Sequence, residues 1–191
     1  MRPLGLVLGV LGWVMATTPT AAAFLTLTQA QQAEAVRVGQ RSVTTEARFD
    51  TEWRVEHPSG ESVTVITPFY RLALASRNAT FKNEPVKPQD QDKVLQDVRE
   101  RLTVWVELHG PRADFARYYA PRLLVADREI EPSFVQNERT GLPRGNGSYL
   151  ARSIYAFPNR EIAGDAKLVL VIKNPEGQLI SRFAIDLGKM R

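Results

Sequence analysis

The residues able to do acid–base work are few. His57 and His109 are the two histidines of the chain, and cysteine is absent. A missing sulfur removes thiol nucleophiles, thiolate zinc knuckles, iron–sulfur ligation and redox dithiols together. Glu107 and His109 stand two apart in an alternating segment, so their side chains share one strand face and could reach one metal ion. A catalytic zinc needs about three protein ligands, and a third is at hand only if the hairpin carrying His57 pairs beside that strand. The serines of Pro58-Ser59-Gly60 and Gly147-Ser148-Tyr149 do not lie in the G-x-S-x-G turn that presents a hydrolase nucleophile. Paired carboxylates of glycosidase type leave no local mark, because their separation is a tertiary property. No catalytic, cofactor-binding or metal-binding residue is therefore assigned, and the reading leans away from an enzyme.

The most individual segment runs from Glu138 to Tyr149 and holds Gly141, Gly145 and Gly147. Glycine lets backbone N–H groups approach an anion, and Arg139, Arg144 and Arg152 add charge. With Tyr149 they form a candidate interaction loop for an acidic partner or a glycan. The segment lacks the G-K-[ST] ending of a phosphate loop, and its length also suits a mobile hairpin connection. Asn78-Ala79-Thr80 and Asn146-Gly147-Ser148 match the glycosylation acceptor pattern, the first inside a predicted helix. Trp53, Trp105, Tyr118 and Tyr119 offer flat rings suited to sugar stacking or to a core. Trp105 points away from Leu102, Val104, Val106 and Leu108, so it is either covered by a helix or exposed. Only exposure would make it part of a binding surface.

The elements that must position these groups begin after an N-terminal address. Met1-Arg2 is followed by an uncharged apolar run over 4–16 and by Ala21-Ala22-Ala23. This is the order of a secretory signal peptide, and the run is shorter than the roughly 17 to 25 residues that span a bilayer. Residues 1–23 are expected to be cleaved, leaving 24–191 as one domain, periplasmic or secreted, with no stable membrane insertion. A net charge of +4 without a basic block does not suggest nucleic acid. Hydrophobic residues at 43% and charged residues at 24% are ordinary for a packed globular chain.

Within that domain, 24–50 reads as a helix and linker. Thr28 and Gln31 form a capping box, and Gly39 is placed to end the helix in a left-handed conformation. From Glu52 the period becomes two, predicting a hairpin over 52–57 and 62–67. Thr67-Pro68 starts a helix through about Phe81, with Phe69, Leu72, Ala73 and Ser76 on one side. A connector over 83–89 precedes a third helix from Asp90 that carries Val94, Leu95 and Val98. Strands follow at 102–108, 118–125, 149–157, 166–173 and 179–187, with 129–131 as a short extra. Asn174-Pro175-Glu176-Gly177 fits a type I turn joining the last two. Direct short connections exclude a parallel sheet. The predicted class is therefore α+β, mainly β: an antiparallel β-sandwich over 51–191, immunoglobulin-like by strand number, with an N-terminal helix and two helices inserted between early strands.

The function expected from these features is that of an exported, non-enzymatic interaction or accessory protein of the bacterial cell envelope. Its partner would be an envelope or extracellular protein or a glycan. The alternatives are a hydrolase of an envelope or extracellular polymer using His57 or His109, and a glycan or small-ligand binding module. The exported protein should begin at Phe24. Intact-mass measurement of the secreted or periplasmic form checks this, and a species retaining Met1 would reject it.

Overall fold

The structure, a computed structural model, describes residues 26–45 and 48–191, so the expected signal segment and its cleavage point lie outside the described residues. Thr28 opens α1 (Gln29–Arg41) as its spacing predicts: the Gln31 N–H donates to Thr28 Oγ1 at 3.3 Å, and the Thr28 N–H donates to Gln31 Oε1 at 2.8 Å. Gly39 does not end this helix. It is buried within α1, and a Cβ there would lie 2.2 Å from the Ala73 carbonyl oxygen and 2.8 Å from Ser76 Cβ. The missing side chain is required by close approach to the next helix, and α1 continues to Ser42, whose N–H donates to Val38 O. Ser76 Oγ donates to Val36 O at 2.9 Å across the same contact.

That next helix, α2 (Pro68–Phe81), starts where Thr67 Oγ1 accepts the Tyr70 N–H at 3.1 Å. Phe69, Leu72, Ala73 and Ser76 are buried, the face that helical spacing predicts, and Tyr70 beside them is buried as well. α3 (Pro88–Gln96) begins two residues earlier than expected from Asp90. Proline has no N–H to lose in a first helical turn, so Pro88, assigned to the connector by sequence, opens the helix. Leu95, and Val98 just beyond its end, are buried. Among the described residues no helix is long and apolar enough to cross a membrane.

Ten strands lie among the described residues: β1 (Arg54–Glu56), β2 (Ser62–Ile66), β3 (Arg101–Gly110), β4 (Ala120–Val125), β5 (Arg128–Ile130), β6 (Phe134–Gln136), β7 (Leu142–Pro143), β8 (Tyr149–Pro158), β9 (Lys167–Lys173) and β10 (Leu179–Asp186). One sheet has the order β1-β2-β3-β8-β6, with β7 also on β8, and the other β10-β9-β4-β5. All pairings are antiparallel. The chain is thus α+β with more strand than helix, and α2 and α3 fall between β2 and β3 as expected. Strands β6 and β7 escape sequence reading because three or two residues are too few to display a period. The segment containing them is also less open than a long loop: Leu142 and Pro143 pair with Leu150 and Tyr149, and the Arg144 N–H donates to Ser148 O at 2.8 Å. Gly141 is buried, its N–H donating to Ala113 O at 2.6 Å.

The two sheets contribute to one core. Leu102, Val104, Val106 and Leu108 of β3 belong to the same buried cluster as Leu168, Leu170 and Ile172 of β9 and Phe183 and Ile185 of β10, as the alternation predicts. Tyr155 is also fully buried, its hydroxyl donating to Asn137 Oδ1 at 2.8 Å. Burial pushes that phenol up to about 12. The 174–177 turn joins β9 to β10, with Gly177 at φ 79° donating to Asn174 O. Arg191 then returns to the start of the domain: its main-chain oxygen accepts from Trp53 Nε1 at 2.7 Å and from the Thr67 hydroxyl. Its guanidinium meets both oxygens of Glu52 and lies 4.8 Å from the Phe69 ring centre.

Val106, 1% exposed, has no partner for a charge. Val106→Asp should destabilise the domain by about 3–5 kcal/mol, the cost expected of an uncompensated buried charge. Urea denaturation checks this, and an unchanged midpoint would place Val106 at the surface.

Candidate functional site

The outer face of the larger sheet follows from the same alternation. β3 turns Arg101, Thr103, Trp105, Glu107 and His109 outward, and β8 answers with Pro158, Ala156, Ile154, Arg152 and Leu150 in register. Rows across the sheet therefore read Arg54, Thr64, Trp105, Ile154 and Gln136, then Ile66, Thr103, Ala156 and Phe134. Trp105 stands at the centre and is 37% exposed. The exposed alternative left open by the sequence is the one realised, with Tyr70 of α2 set edge-on against the indole at 6.3 Å. Two open cavities, about 300 and 370 Å³, lie on either side and share Trp105 and Ile154. Together they make a groove along β3, walled on one side by Tyr70 and Arg71 and floored by the sheet.

Charge gathers at both ends. At one, Arg54 lies 2.8 Å from Glu107, 3.0 Å from Glu56 and 3.6 Å from Asp50, and Arg152 closes on Glu107 at 3.2 Å. Burial alone would push the Glu107 carboxyl up. The Arg54 hydrogen bond and the charges of Arg54 and Arg152 outweigh it and hold the group below its ordinary value. Burial raises the Tyr70 phenol to about 12, and the negative charge of Asp50 acts in the same direction. At the other end Arg71 is 3.8 Å from Asp97, and Arg101 Nε donates to the Asp97 carbonyl at 3.1 Å.

The four residues of the candidate interaction loop do not form one patch. Arg152 is on the groove rim with Glu107. Arg144 packs on His109 one row further along the same face, Nη1 donating to Nε2 at 2.5 Å. Tyr149 pairs with Gly110 on the opposite parity, and Arg139 lines a separate shallow cavity with Arg117 and Tyr118. The Asn146 acceptor motif forms a turn, Oδ1 taking the Ser148 N–H at 3.1 Å. Asn78 lies within α2.

Both histidines border the turn between β1 and β2. His57 Nδ1 is 2.8 Å from Ser59 Oγ, which lies 3.2 Å from Glu61 Oε2. This is not the relay of a serine hydrolase, in which a carboxylate holds the imidazole and the imidazole holds the serine. Here the hydroxyl stands between the other two, so the carboxylate does not touch the imidazole. Glu61, 8% exposed, is instead tied into the structure by Ser181 Oγ at 2.6 Å and the His109 N–H at 3.4 Å. The cavities beside Trp105 are lined by neither histidine. Glu107 and His109 share a face as expected, but their partners are cations, Arg54 and Arg152 on Glu107 and Arg144 on His109. Sequence reading missed Glu61, Tyr70 and Phe134. A lone carboxylate after a turn and rings on other elements carry no local signal of where they converge.

Because Glu107 is held below its unfolded value, its contribution to stability is complete above the ordinary carboxylate range, near about 4.3, and is lost as pH falls through the lower folded value. Glu107→Gln should therefore lower the melting temperature at neutral pH and converge with wild type in acid. Thermal melts across that range check it, and parallel curves would remove Glu107 from the pH response.

No family model and no curated protein matches the chain. A crystal structure of a protein of unknown function from Burkholderia pseudomallei aligns with 92% of this chain and 95% of that one, at 11% identity and a TM-score of 0.44.

Proposed function

We propose that this is an exported, non-catalytic interaction or accessory protein of the bacterial cell envelope, and that the groove centred on Trp105 is its docking face. The observation that carries this reading is an indole 37% exposed in the middle of a sheet face. A large ring left in water on a rigid sheet, between aromatic walls and charged ends, is the composition of a recognition surface. Export rests on the apolar run over 4–16 and the alanines that follow it. The scaffold is proposed to be an immunoglobulin-like sandwich. The order β2-β3-β8-β6 supports this, since these strands take the places of A, B, E and D in chain order, while β10, β9 and β4 take those of G, F and C.

A glycan is the favoured ligand class. Trp105 offers a flat face at little entropy cost, and Thr103, Arg101 and Arg152 stand within the groove as hydrogen-bonding groups. Co-sedimentation with purified cell-wall polymer tests both steps. Wild type should pellet with the polymer, and Trp105→Ala should weaken binding roughly tenfold, equivalent to about 1.4 kcal/mol of lost ring contact. Binding to envelope proteins but not to polymer, still dependent on Trp105, would keep the groove and replace the glycan. Equal binding by both forms would reject the groove.

A further inference from the structure

The sheets differ sharply in how they end. β1, β6 and β5, which close three of the four edges, are three residues long. The fourth edge is β10, eight residues from Leu179 to Asp186. Very short edge strands deny a neighbour a template, as do proline, lysine and bulges. β10 contains neither proline nor lysine, its charges are the opposite pair Arg182 and Asp186 rather than charges of one sign, and its register shift is confined to the start, between Leu179 and Ser181. β1 and the turn after it lie against this strand, where Ser181 bonds Glu61 through the inward row and Phe183 packs edge-on against His57 at 6.4 Å. Arg182 and Ala184 are exposed on the other row, with Asp186 half-buried beside them.

We propose that β10 pairs antiparallel with β10 of a second copy of this chain, across a twofold axis through Ala184, fusing two four-stranded sheets into one. Charge selects that register. With Ala184 opposite itself, Arg182 faces Asp186 of the partner subunit and Asp186 faces Arg182 of the partner subunit, so symmetry supplies the same pair twice. On the inner side Phe183 and Ile185, 2% and 1% exposed, are already packed in the core, so the outer row alone selects the register. A slip of one residue would set the buried row against the exposed one, and a slip of two would put Arg182 opposite Ala184 or Gly188 and lose both pairs. Among the described residues Arg182 makes no ion pair, and the neighbour of Asp186 is the well-exposed Lys189, 3.8 Å away. Arg182 is thus available to engage across the axis, while Asp186, which also stands opposite Lys167 on β9, would exchange its long contact with Lys189 for the new pair.

Sedimentation velocity of the purified protein through the micromolar range tests the pairing. Wild type should show a concentration-dependent dimer. Arg182→Asp sets like charges opposite each other twice and should weaken dimerisation at least about tenfold. Adding Asp186→Arg to that variant reverses both charges and should restore the dimer. Ala184→Lys places two ammonium groups on the axis and should give a monomer whose thermal melt matches that of wild type diluted below its dimer range, a control that holds even if Arg182→Asp folds poorly. A monomeric wild type at every concentration would overturn the proposal. So would a dimer that survives Ala184→Lys and Arg182→Asp, or an Arg182→Asp monomer with a native melt that the double reversal fails to rescue.

Discussion

The period of two along β3 is the constraint on which most of this molecule depends. The strand is paired with β8 over its whole length, Arg101 opposite Pro158 through Gly110 opposite Tyr149. One row of its side chains reaches β9 and β10 in the core, and the other is the floor of the groove. A slip of a single residue would bury Glu107 and expose Val106, so the core and the groove face share one register and fail together. The hydrophobic row sets that register by area removed from water, and the outward residues inherit their positions from it. Groove geometry is in this sense a by-product of core packing.

Long alternating elements were legible for the same reason. The rows on β3, β9 and β10 and the buried side of α2 are each repeated often enough to be counted. Errors arose where one residue type serves two purposes. Gly39 looked like a helix stop because glycine tolerates left-handed backbone, yet it is needed for the contact with Ala73 and Ser76, which belongs to another helix and is invisible locally. Pro88 looked like a connector and proved to be a helix start. At the site, Trp105 could be placed on the outer face, but its exposure depended on where α2 lies. Glu61 and Ser181 are 120 residues apart, and no pattern near either hints at the other.

The charged groups divide into two kinds. Arg54 and Glu107 are largely buried on the groove rim and the exposed Arg152 closes on the same carboxylate, which is thus shared by two guanidinium groups. Arg37 with Glu34, and Arg128 with Glu161, are exposed pairs that contribute little. Glu61 is different again. It is a buried carboxylate reached by Ser59, Ser181 and the His109 main chain, and it ties the turn of one sheet to the edge strand of the other. Removing a hydroxyl there would leave part of a buried charge unpaired.

The return of Arg191 to Trp53 bears on the order of assembly. Trp53 packs against Tyr70 at 4.8 Å and Phe69 at 6.1 Å, an aromatic cluster assembled from residues close in sequence. Its indole N–H and the Thr67 hydroxyl nevertheless find their acceptor on a residue made 138 and 124 positions later. During synthesis at about 5–20 residues per second, this early cluster must wait several seconds or more for its partner. Closing so long a loop makes the contact a late event whose entropic cost is met only once the intervening strands have paired. The start of α2 is therefore completed by a residue 124 positions further on, and an intermediate made before that residue should carry this aromatic corner only partly locked.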